Sequence, residues 1–143
     1  MDLVRETWNI AREDIARVGV VAFLSLFEKY PETQNIFLPF RGLTVDELQH
    51  SARLREHGLR VMLTVEKCIA RLDKPEKLQD LLHDLGQKHV EFNTKVDYID
   101  MVGPQFIQAI RPVVKSDWTP EVEDAWEDFF KLLIYFMKEA MCF

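Results

Sequence analysis

Apolar residues recur along this chain at steps of three and four, and no sustained run alternates at steps of two, so the pattern predicts helices throughout and no strands. Leu3, Val4, Trp8, Ala11 and Ile15 mark a first helix, and the denser apolar set from Val18 to Tyr30 marks a second, more buried one. Pro31 then breaks in; proline suits a first helical position, and Pro31 to Phe37 is short enough for one or two turns. Leu38 to Leu43, with Pro39 and Gly42, reads as a loop. Thr44 and Glu47 have the spacing of a capping box, which predicts a helical stretch that begins there and leads into a long segment ending near Leu72. Leu78 to Val90 predicts a further helix, Glu91 to Lys95 a polar connection, and Asp97 to Lys115 a helix against which Pro104 and Pro112 count. Thr119-Pro120 ahead of Glu121, Glu123 and Asp124 signals a capped final helix, carried onward by Trp126, Phe129, Phe130, Leu133 and Phe136. The chain reads as all-α.

Length turns this into an expectation of one domain over residues 1–143, large enough to bury a core without disulfides or structural metals. The net charge of -6, with both signs interspersed, leaves no basic stripe to follow a phosphate backbone, so nucleic acid is not an expected partner. No apolar run approaches the roughly 20 residues of a membrane span, and the first residues lack the pattern of a secretory signal. Only Cys68 and Cys142 occur, which gives no disulfide framework and fits a reducing, cytoplasmic setting.

The candidate chemistry lies with two histidines. Leu54, His57, Val61, Val65, Cys68 and Leu72 share one helix face, and Leu78, Leu82, Leu85 and His89 share another, so His57 and His89 both point inward. Neutral imidazole is a good iron ligand, and two on facing helices can address the two faces of one flat cofactor. An inward histidine can equally be a core residue with its ring nitrogens hydrogen-bonded, and these positions alone leave both readings open. His50 sits near the start of its helix and His83 falls off the leucine stripe of its own, and neither is assigned such a role. Zinc would want three or four ligands, usually two of them close in sequence. Neither His-Glu-x-x-His, a nucleophile motif nor a Gly-rich phosphate loop is present, so hydrolase chemistry has no foothold.

Several separated motifs, in order along nearly the whole chain, are those of a known family. Trp8, then Leu26-Phe27-Glu28-Lys29-Tyr30-Pro31-Glu32-Thr33 leading to Phe37, then His57-Gly58-Leu59-Arg60-Val61, then Leu85-Gly86-Gln87-Lys88-His89 resemble the globins, most closely the neuroglobin-like and cytoglobin-like ones. The resemblance implies a globin fold, a three-over-three helical sandwich around a pocket for haem b (iron protoporphyrin IX). It makes His89 the proximal iron ligand and His57 the distal histidine, with Leu85 packed under the ring, Phe37 stacked at its edge, Phe40 closing the pocket nearby and Val61 over the iron. Phe23 stands at the distal position of the second helix, where neuroglobins also have Phe. Gly19 and Gly58 would let two helices cross closely, although neuroglobins often have a larger residue in place of Gly58. The loop at 38–44 lacks the cysteine found in neuroglobins, so a thiol switch there does not carry over.

What fills the sixth position on such an iron decides the function. His57 can hydrogen-bond to bound O2, or ligate the iron itself when no gas is present, and the neuroglobin-like resemblance favours the second at rest. Arg60, one turn beyond His57, either reaches a haem propionate or is simply solvated. The expected activity is reversible binding of O2, CO or NO for storage, supply or sensing. The competing class is redox chemistry, such as NO dioxygenation, nitrite reduction or electron transfer, which would need an external reductase because no flavin or nicotinamide module is present. A haem-free interaction module is a third reading, against which His89, Phe37 and His57 together argue. A monomer or weak dimer is expected.

Overall fold

The computed structural model describes residues 1–91 and 96–141, and among them every regular element is helical. Helix α1 spans Asp2–Ala11 and α2 Ile15–Lys29, separated by a 3-10 turn at Arg12–Asp14 that hands Ile15 to the second helix. Helix α3, Pro31–Asn35, carries its proline at the first turn, where a missing N–H costs nothing. A further 3-10 turn, Leu38–Phe40, sits inside the expected loop.

The capping box at Thr44 is real. The Glu47 N–H donates to Thr44 Oγ1 at 3.2 Å, and the Thr44 N–H donates to Glu47 Oε1 at 3.1 Å. The helix it opens does not run on to Leu72, however: α4 ends at Gln49, and α5 starts afresh as Ala52–Ala70. Ser51 causes the break by offering a second cap, its Oγ accepting the Leu54 N–H at 3.2 Å. Helix α6 runs Pro75–Glu91, α7 Val96–Val114 and α8 Pro120–Met141. Helix α7 continues through Pro104 and Pro112, and the residues whose carbonyls lose a helical partner, Asp100 and Gln108, are exposed. The start of α8 is capped as expected, with the Val122 N–H donating to Thr119 Oγ1 at 3.1 Å. Of the connection expected over Glu91 to Lys95, only Glu91 is described; Cys142 also lies outside the described residues.

Helices α1, α5 and α6 form one layer, and α2, α7 and α8 the other. Between the layers Trp126 and Phe129 are fully buried, and the Trp126 indole N–H donates to Thr7 Oγ1 at 2.9 Å, so its polar edge is satisfied. Burying each such aromatic stabilises the fold by about 1.5–3 kcal/mol. Two glycines set where the layers meet over the distal side. A Cβ on Gly19 would stand 2.7 Å from the Gly58 carbonyl carbon, and one on Gly58 would stand 2.9 Å from that of Gly19. Backbone therefore meets backbone where α2 crosses α5, and the close crossing expected of this pair is present. Among the described residues no helix is long and apolar enough to cross a membrane.

Candidate functional site

The apolar stripe of α5 does not close onto its neighbours over its whole length. Leu54 and Met62 are fully buried, but His57, Val61, Val65 and Cys68 face a cavity of about 460 Å³. Leu82, Leu85 and His89 of α6 supply a second wall, and Phe23 and Leu26 of α2, Phe37, and the ends of α7 and α8 complete it. Its size falls in the range of cofactor sites.

His89 is held by its own helix. Its Nδ1 lies 2.7 Å from the Leu85 carbonyl oxygen, which can only accept, so Nδ1 carries a proton, and in the neutral ring the lone pair then stands on Nε2. That tautomer is the one a metal needs from a histidine oriented by a backbone carbonyl. His57 is held differently. Its ring packs against Phe23 at 4.7 Å, Phe37 at 5.1 Å and Phe40 at 6.3 Å between centroids, and among the described residues nothing hydrogen-bonds it. Burial above all, then the charges of Arg60 and His89, push its pKa down from 6.5 to about 4. It is therefore neutral at physiological pH, with a lone pair available.

Cys68 is the other soft donor in the wall. Burial pushes its thiol up to about 12 against the opposing pull of Arg71, which keeps the sulfur protonated and a poor ligand. No group of three or more His, Cys, Asp or Glu side chains converges among the described residues, so a zinc centre made of protein ligands alone has no donor set. Two imidazoles facing one apolar cavity instead match a flat, apolar group that brings its own equatorial ligands. Two cations, Arg60 and Lys88, stand exposed at its edge, where a carboxylate-bearing periphery would emerge. These residues fit haem.

The structure brings Phe23, Phe37, His57, Arg60, Val61, Leu85 and His89 onto one cavity. Phe40 is placed one layer back: it is buried against Phe27 and Phe37, not on the cavity wall, because the 3-10 turn at Leu38–Phe40 carries its ring behind that of Phe37. It supports the aromatic cage around His57 without closing the pocket. His50 is exposed with Nδ1 2.9 Å from the Asp46 carbonyl oxygen, and His83 pairs with Glu139 at 3.2 Å, so neither reaches the cavity. Sequence reasoning did not assign Lys88, Tyr98, Val102 and Phe106, which also line it. The last three lie four residues apart along α7, a spacing that would have marked a cavity face.

The family model described as Globin matches residues 20–137. The chain belongs to the globin family. It is 29% identical over 141 residues to a neuroglobin of Tetraodon nigroviridis, covering 97% of this chain and 88% of that globin. It is also 24% identical over 142 residues to a protein of Casuarina glauca named anaerobic nitrite reductase HBII, again covering 97% and 88%. A solved structure described as a hexacoordinated heme protein from an anhydrobiotic tardigrade superposes with a TM-score of 0.92 at 16% identity, covering 98% of this chain and 91% of that one, which shows the shared globin fold.

Proposed function

We propose that the cavity takes up haem b, with His89 as its permanent axial ligand and His57 as a displaceable one, and that the chain binds O2, CO or NO reversibly as one domain over residues 1–143. Bound there, the group would supply an iron atom able to take small ligands or exchange electrons. The observation that carries the reading is the His89 Nδ1 to Leu85 carbonyl bond, which holds a lone pair of fixed direction in the same apolar cavity as a neutral His57. Leu85 and Val61 exclude water from either side, while Phe23 and Phe37 hold His57 through ring contacts that give way without breaking a hydrogen bond. Phe23 has no hydroxyl, so His57 is the donor for a polar diatomic ligand. Arg60 and Lys88, exposed at the rim of the cavity, would be placed to meet the carboxylates of such a group. The neuroglobin relative and the tardigrade protein's hexacoordinate haem support His57 as resting ligand.

A second reading is favoured by the Casuarina relative's name: nitrite reduction at the same site, fed by an external reductase. Two cysteines in the chain suit a reducing cytoplasm, where such a partner would be met. Titrating the purified chain with haemin tests the cofactor assignment. A Soret band should saturate at one equivalent, and absence of that band after reconstitution overturns it. A long-lived gas complex supports reversible binding, whereas rapid turnover of nitrite with a reductant supports the second reading.

A further inference from the structure

Gly86 sits inside α6, three residues before His89, where glycine costs about 1 kcal/mol relative to alanine. The structure shows what it makes room for. A Cβ at Gly86 would run into the Met137 carbonyl oxygen of α8 and stand 3.0 Å from Ala140 Cβ. The obstacle is backbone, so it cannot swing aside as a flexible side chain would. The peptide pressed against α8 matters as much as the contact itself. The carbonyl that accepts the His89 Nδ1–H belongs to Leu85, the residue bonded to the Gly86 nitrogen. One peptide unit therefore touches α8 at its Gly86 end and orients the imidazole at its carbonyl end.

We infer that Gly86 is the positioning residue for His89: by seating the Leu85–Gly86 peptide directly on the α8 backbone, it sets where and in which direction His89 Nε2 stands in the cavity. The inference rests on the reading of His89 as iron ligand. A methyl group at position 86 must lift α6 from α8 or rotate that peptide, and either movement displaces the Leu85 carbonyl and the ring it holds. Groups that orient a metal-bound histidine typically change metal affinity by roughly 10–100-fold when altered.

The test compares Gly86→Ala with the unsubstituted chain after haemin reconstitution, reading the iron–histidine stretching band by resonance Raman in the ferrous protein just after CO photolysis. The band should shift, and haemin loss to an acceptor apoglobin should quicken about tenfold. The decisive control is His89→Gly filled with free imidazole, where the ligand is no longer tethered to α6: adding Gly86→Ala there should leave the iron–imidazole band where it was. An unshifted band in the His89 protein, or an equal shift in the imidazole-filled one, overturns the inference. Circular dichroism of the haem-free chains reports folding. If Gly86→Ala does not fold, Ala140→Val presses on the same seam from the α8 side and should move the band; an unmoved band again overturns it. An unsubstituted chain that takes up no haemin overturns the cofactor reading as well, so the two failures are distinct.

Discussion

The two walls that carry the histidines solve opposite problems with similar parts. Each helix is brought close to a neighbour by a glycine within one turn of its histidine: α5 by Gly58 against Gly19, and α6 by Gly86 against Met137. There the likeness ends. His89 is tied to its own backbone by a short, directional hydrogen bond, while His57 lies among Phe23, Phe37 and Phe40 with ring contacts alone. A directional bond fixes one tautomer and one ring orientation. Ring contacts restrict the side chain but cost little to rearrange, since aromatic pairs contribute only about 0.5–1.5 kcal/mol beyond their buried area. Under the proposed haem assignment, this difference would make His89 the ligand that stays and His57 the one that leaves.

The strongest way to break this comparison is to remove the fixed side. His89→Ala should weaken haemin binding by more than about a hundredfold, because loss of a ligand must exceed the loss seen when only its orienting partner is altered. Acceptor-globin exchange measures it, and a retained tight complex would show that the two histidines are equivalent. A smaller effect tests the shared scaffold. Gly58→Ala forces two backbones apart and should destabilise the haem-free chain by about 1–3 kcal/mol in urea unfolding, with haemin uptake retained. Unchanged stability would mean that α5 is not clamped there.

The smallest effect concerns the charge state of the mobile side in the haem-free chain. His57 titrates near 4 in the fold and at 6.5 when unfolded, so between those values the unfolded chain binds the extra proton. Stability should therefore fall as pH drops from 6.5 towards 4, by about 2 kcal/mol after allowance for solvent screening. His57→Leu should flatten that part of the profile. An unchanged slope would place the responsible group elsewhere.

Much of this was readable in the chain because the signals are local. The inward faces of His57 and His89 follow from helical spacing, and Thr119 and Thr44 announce helix starts through their own side chains. What could not be read depends on contacts between distant segments or on competition between neighbouring signals. A capping box marks a beginning and says nothing of an end, so the interruption at Ser51 is not announced by Thr44 and Glu47. Nearness in sequence does not say which of Phe37 and Phe40 faces the cavity, since only the turn between them decides it. Gly86 gave no local sign of its role: in an amphipathic helix a glycine reads as a cost until Met137, about 50 residues away, is seen against it.

The claim that His89 stays while His57 leaves is tested most directly by CO binding to the ferrous, reconstituted chain beside His57→Leu. If His57 is the resting ligand, only molecules with it displaced can take up CO, so the unsubstituted chain should show a two-histidine spectrum and slow uptake, and the variant a one-histidine spectrum with markedly faster uptake. Identical spectra and rates in the two proteins would contradict the account.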